Sequence, residues 1–337
     1  AEVFRGKYEL NSVMGLSCLN VINVLAYIAN VLISYGVGAI GYGGLKTNAE
    51  ISETYQTLIT PDAITFGIWA LIFISQLLFV VTQLFPAYQS SPLVAKAIGY
   101  DYVNVCIFQI GWTFAFAFEY ILISLICMVI LLYFLISIVN DQYKVSDLHP
   151  ISIVDYWMLK FPFSVHCGWI IAATFVNISV FLVSLDLDAI IQYYVALGSL
   201  GALVLIACFS VAFPTQGDYI IGLTLAWASL GVFLELGNPK DLIISTFSED
   251  QIIWVRMVSI LAIPVMLLAI VLKVLYSFVQ RRRRRHSTES DYHRYDEARS
   301  RGTRASSTKT SKTKKTRNSH TTEYSPSPSV SSSISEV

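Results

Sequence analysis

Continuous apolar stretches alternate with short polar connections along most of this chain. They fall at roughly 17–40, 62–85, 103–118, 120–139, 161–185, 189–212, 219–236 and 252–275. A helix needs about 20 residues to cross the hydrocarbon core of a bilayer, somewhat fewer where the bilayer thins or polar residues flank it. The runs are apolar throughout rather than alternating with period 2, which excludes a β-barrel. The pattern therefore predicts an all-α polytopic membrane protein with about eight transmembrane helices. The third and fourth segments meet at Glu119 with almost no loop. The connection 140–160, with Pro150, Asp155 and Trp157, is the longest between segments and is expected to hold a short interfacial helix. Pro264 is expected to kink the last segment. The first run has no cleavage site and reads as a span rather than a removed signal, while the start at Ala1 points to a segment upstream.

Composition agrees with this reading. Of 337 residues, 55 % are hydrophobic and 14 % charged, where a soluble domain would carry about a quarter charged residues. The formal charge of zero conceals two materials: residues 281–337 hold 14 Lys or Arg against 6 Asp or Glu, and the remainder holds 9 against 17. The terminal segment opens with five arginines and continues in Ser, Thr, Lys and Arg. It lacks the apolar surface to offset the entropy of ordering, so a disordered cytosolic tail of eukaryotic type is expected. Its attachment to a span makes anionic lipid headgroups its partner rather than nucleic acid, at about 1 kcal/mol per basic residue.

Short-loop Lys and Arg set the orientation. Arg5, Lys7, Lys96, Lys144, Lys160 and Lys273 share the tail side. Both termini, including residues 1–16, are thus expected in the cytosol. The opposite side is acidic, with Glu50, Glu53, Asp62, Glu119, Glu235 and Asp241 among its carboxylates, and Glu235 is expected to pair with Arg256 across a loop.

Within the spans, His166, Trp169, Ala173 and Asn177 recur at helical spacing and so share one helix face. Such a stripe is costly against lipid and belongs inside the bundle. It serves either as interhelical packing or as part of a ligand pocket walled by Trp69, Trp112 and Trp169. Asn23 and Asn30 share an inward face of the first segment, with Gln76, Gln83 and Gln109 as further interior groups. Ser34 and Gly38 form a small-xxx-small pair suited to bundle packing or a homodimer. The five Cys show no CxxC spacing, and phosphate-loop, HExxH and GxSxG motifs are lacking, so neither a metal site nor an enzyme is expected.

Three stretches carry a resemblance. Thr60-Pro61 lead to Phe66-Gly67-Ile68-Trp69 at the start of the second segment, Gln109-Ile110-Gly111-Trp112-Thr113 lie in the third, and Trp169, Ala173 and Asn177 lie in the fifth. Together they resemble the TspO/MBR family of tryptophan-rich sensory or translocator proteins, and more closely its longer relatives. The first stretch, Phe66-Gly67-Ile68-Trp69, is one residue shorter than the family's Phe-Gly-x-x-Trp; His166 and Val165 stand where the family has Tyr and Pro. The resemblance implies a five-helix core over 17–185, three additional helices over 186–280, and a ligand site of Phe66, Trp69, Gln109, Trp112, His166, Trp169, Ala173 and Asn177. The implied function is binding, and sensing or translocating, a hydrophobic planar ligand such as a tetrapyrrole or a sterol. The alternatives are a secondary transporter of a small solute or ion, and an assembly subunit of a membrane complex.

Overall fold

The computed structural model describes residues 16–213 and 217–280, with Arg282. Helix α1, Cys18–Ala39, begins at a capping box in which Ser17 Oγ accepts from the Asn20 N–H and the Asn20 side chain accepts from the Ser17 N–H. Its last stretch, Ser34–Ala39, widens into a π-helix. A second capping box, Thr47 with Glu50, starts the short α2, Asn48–Thr54. Helix α3, Ala63–Thr82, opens as a tight 3₁₀ turn, where Asp62 accepts from the Ile64 N–H. Helices α4, Asp101–Ala117, and α5, Ile121–Leu148, form a close hairpin. Helix α6, Ile153–Ser184, follows a Ser152–Asp155 capping box and carries a π-helical turn at Tyr156–Lys160. Then come α7, Ala189–Ala212, α8, Tyr219–Glu235, capped by Asp218, α9, Asp241–Thr246, and α10, Glu249–Gln280.

The architecture is an all-α bundle of a polytopic membrane protein. Among the described residues, six helices are long and apolar enough to cross a membrane: α1, α3, α5, α6, α7 and α10. The expected count of eight is not reached on that measure, because α4 and α8 hold 17 residues each, short of the roughly 20 that a full crossing takes, and α4, with Asp101, Asn104 and Gln109, is also less apolar than α8. The connection expected at 140–160 is also mostly helix. Asn140, Asp141, Gln142 and Lys144 lower the hydropathy without breaking the helix, and Asp141 pairs with Lys144 one turn on. The true break is 149–152, between α5 and α6. Helix α10 continues through Pro264 without interruption. Residues 1–15 and the tail expected from 281, apart from Arg282, lie outside the described residues.

Among the described residues, those up to Val274 form one compact unit, apart from the end of α10 that follows. Inside this unit, α6 is buried nearly all round, from Pro162 to Ala172 and again at Asn177 and Val180. It is clasped by α3, α5 and α8. Helix α8 approaches closely enough that glycine is required on both contact surfaces. A Cβ at Gly168 of α6 would sit 2.8 Å from Thr224 Cβ and 3.2 Å from Ile221 Cα. A Cβ at Gly231 of α8 would sit 2.8 Å from Pro61 Cβ. There the Asp62 N–H donates to the Gly231 carbonyl at 3.0 Å and Trp227 Nε1 donates to the Thr65 carbonyl at 3.0 Å.

The α4–α5 turn is closed by Glu119 at φ +59°, a left-handed conformation that costs a non-glycine residue about 1–2 kcal/mol. Its carboxylate is held from the α1–α3 connection, by Lys46 Nζ at 2.5 Å and by the Tyr55 hydroxyl at 3.1 Å. Lys46 beside it, and then the Tyr55 hydrogen bond, keep the Glu119 carboxyl below the usual carboxylate range. The ion pair expected between Glu235 and Arg256 does not form. Arg256 lies over the Phe233 ring, 4.7 Å from its centroid, and Glu235 faces Lys240 at 4.0 Å. A guanidinium stacks on an aromatic face with little desolvation, so the ring competes well with the carboxylate.

Candidate functional site

Three helices turn one face each toward a common interior space. On α6, Trp169, Ala172, Ala173, Val176, Asn177 and Val180 follow the i, i+3, i+4, i+7 pattern of a single helix side. On α4 the same spacing brings Gln109, Trp112, Thr113 and Phe116 together, and on α3 Phe66, Trp69, Ala70 and Phe73 do so. These faces, with Met128 of α5 and the π-helical end of α1, enclose a cavity of about 860 Å³. That volume suits a ligand of drug or sterol size.

The walls are aromatic. Trp169 meets Trp69 edge to face with ring centroids 6.4 Å apart, and meets Phe66 in the same way at 5.6 Å. Trp112 stacks on Phe116 at 5.1 Å and 16°. Small residues at Ala70, Ala172, Ala173 and Gly38 leave the space between them open. On the faces of α4 and α6 the polar groups are Gln109, Thr113 and Asn177, all buried. Asn177 Oδ1 accepts from Ser124 Oγ at 3.2 Å, whereas Gln109 Oε1 and Trp112 Nε1 are buried without any hydrogen-bond partner. Unsatisfied buried groups of this kind cost about 1–3 kcal/mol each, and their presence on a cavity wall marks a place where a polar ligand atom lowers the energy.

Of the eight residues singled out in the sequence, Phe66, Trp69, Gln109, Trp112, Trp169, Ala173 and Asn177 line this cavity, and His166 does not. His166 lies one turn deeper on α6, fully buried. Gln76 Nε2 donates to its Nδ1 at 2.8 Å while Gln76 Oε1 accepts from the Tyr102 hydroxyl at 3.4 Å. This polarity of the Gln76 amide puts the neutral imidazole proton on Nε2, the nitrogen that has no partner. Beneath the trio, Phe79, Tyr102 and Phe163 pack edge to face at 5.1–5.6 Å. His166 thus belongs to the polar floor below the aromatic walls. A second buried polar set, Asn20 and Asn23 with Gln83, ties α1 to α3.

The other end of the cavity is charged, and it gathers carboxylates that the sequence places on one acidic side without showing that they meet. Glu53 of α2, Asp62 before α3, and Glu235, Asn238 and Lys240 around the α8–α9 turn form its rim. Lys240 Nζ stands 3.8 Å from Glu53 Oε1 and 4.0 Å from Glu235 Oε1. Phe73 and Phe116 could have been found by extending the helical spacing from Trp69 and Trp112. The rim could not, since it joins positions over 180 residues apart. No cluster of His, Cys, Asp or Glu suited to a metal ion occurs among the described residues.

Comparison with curated proteins and with solved structures returns no match. The family model for "TSPO-like protein" matches residues 20–272. That span takes in the aromatic cavity and both sides of its charged rim, and the chain belongs to the TSPO-like protein family.

Proposed function

We propose that this protein binds a hydrophobic planar ligand, tetrapyrrole or sterol-like, between α3, α4 and α6, and senses or translocates it. The observation that carries the reading is the cavity itself: about 860 Å³, walled by Phe66, Trp69, Trp112 and Trp169, with Gln109 and Asn177 on its polar side. Flat apolar ligands gain from such walls by burial and by stacking, each aromatic contact adding about 0.5–1.5 kcal/mol beyond area. In this reading α1 and α3–α6 are a five-helix core to which α7, α8 and α10 are added. The 17-residue α4 and α8 then cross a locally thinned bilayer, giving eight crossings with both termini on the cytosolic side.

The test is a titration of the full chain in nanodiscs with a sterol and with a tetrapyrrole, read by tryptophan quenching and by equilibrium dialysis. Saturable binding of one of them, weakened about tenfold or more by Trp169→Ala, is the expected result. Absence of saturable binding to well-folded protein overturns the reading. A second function, secondary transport of a small solute, draws on the π-helical turn Ser34–Ala39, which contributes Ser34, Gly38 and Ala39 to the cavity. Interrupted helices of this kind recur at transporter binding sites, and solute uptake into proteoliposomes tests it.

A further inference from the structure

The aromatic walls set the shape of a ligand, and the rim sets its charge. Three carboxylates, Glu53, Asp62 and Glu235, line the cavity with a single ammonium, that of Lys240. The neighbouring cations do not alter this balance. Lys46 is committed to Glu119, and Arg256 stacks on Phe233 and does not line the cavity.

Among the three carboxylates Glu235 differs in its surroundings. Its side chain is 10 % exposed, against 65 % for Glu53. Lys240 reaches it at 4.0 Å, at the outer limit of an ion pair, while half exposed itself. The Gln56 amide adjoins Glu235, yet neither Gln56 Nε2 nor Glu235 Oε1 makes a hydrogen bond. Glu235 Oε1 is therefore a largely buried acceptor on the cavity wall whose neighbours, the Lys240 ammonium at 4.0 Å and the Gln56 amide, stop short of a made hydrogen bond. Deeper in, Gln109, 2 % exposed, presents the same deficiency at Oε1. Two acceptors along one cavity, Glu235 Oε1 and Gln109 Oε1, call for ligand N–H groups, while the unpaired Trp112 Nε1 beside Gln109 takes a single ligand acceptor.

We infer that the cavity takes an apolar, ring-shaped ligand carrying a protonated amine, with the amine seated at Glu235, and that it discriminates against carboxylate-bearing molecules of the same shape. The inference rests on the proposed ligand-binding role of the cavity and specifies the class of ligand. An ammonium at Glu235 supplies the missing donor at short range, taking up the position that Lys240 occupies loosely. A carboxylate there meets three like charges and leaves both acceptors unsatisfied. At a partly screened site, opposite against like charge separates the two by about tenfold or more.

The experiment uses three probes on one steroid ring system, bearing a hydroxyl, a primary amine or a carboxylate. Equilibrium binding is measured to the full chain in nanodiscs of zwitterionic lipid, so that bilayer charge does not sort the probes. Wild type is compared with Glu235→Gln, which keeps the size of the side chain, and with Trp169→Ala, with thermal unfolding as the check on folding. The expected result is an amine bound about tenfold or more tighter than the carboxylate, a preference that shrinks at least about threefold in Glu235→Gln and weakens with salt. Equal affinities, or a tighter carboxylate, with binding still lost in Trp169→Ala, overturn the charge inference and leave the cavity as a ligand site. An amine preference untouched by Glu235→Gln overturns the seat assigned to the amine. Absence of saturable binding by all three removes the ligand site and the inference with it.

Discussion

Replacing Gly231 with alanine probes whether α8 is an integral wall of the bundle. The added Cβ would stand 2.8 Å from both Pro61 Cβ and Thr65 Cγ2, and closer still to Thr65 Oγ1. Pro61 is ring-locked and Thr65 is 1 % exposed, so neither gives way easily. Helix α8 must withdraw, which stretches the hydrogen bonds from the Asp62 N–H to the Gly231 carbonyl and from Trp227 Nε1 to the Thr65 carbonyl. Overpacking costs about 1–3 kcal/mol, and each weakened hydrogen bond adds roughly 0.5–1.5 kcal/mol. The sum, about 2–6 kcal/mol, exceeds the alanine-for-glycine helix gain of about 1 kcal/mol. Thermal unfolding in detergent should show a lower Tm for Gly231→Ala by several degrees. Gly198→Ala on α7, where a Cβ meets nothing within 4 Å, should match or exceed wild type. Equal melting of the two variants would refute the argument that close backbone approach holds α8.

Two further outcomes follow from the polar groups. Gln76→Leu removes the donor to His166 Nδ1 and should destabilise by about 1–3 kcal/mol; adding His166→Phe should recover part of that loss, so a double-mutant cycle by chemical unfolding that gives strictly additive costs would refute the pairing. Glu119 has its carboxyl pulled below the usual range by Lys46, so its contribution is present above the unfolded-state value near pH ~4.3 and is lost as pH falls through the lower folded value. Wild type should thus melt above Glu119→Gln at neutral pH, and the gap should close in strong acid; a gap independent of pH would refute it.

Much of the site was legible because helical spacing is a local property. Trp169, Ala173 and Asn177 share a face on any straight helix, and the packing cost of Asn and His in hydrocarbon points that face inward. The same logic could not separate His166 from its stripe, since the floor at Gln76 and Tyr102 depends on which helices meet, and spacing along one helix is silent on that. Hydropathy also misplaced the loop at 140–160, because polarity marks departure from lipid while Asp141 and Lys144 sustain helix beyond it. Least legible was which of the acidic-side carboxylates would meet. Glu53, Asp62 and Glu235 come to one rim, with Lys240 between Glu53 and Glu235, only through the fold and its two glycine-dependent approaches, Gly168 and Gly231.

Those approaches divide the cavity's inheritance along the chain. The aromatic walls are written before residue 181 and the buried part of the charged rim after residue 233. Shape and charge can accordingly drift apart in evolution. A relative with the same tryptophans but a different α8–α9 turn would keep the outline of the pocket and change its clientele, and an exchange of residues 231–240 between two such proteins would transfer charge preference while leaving ring selectivity behind.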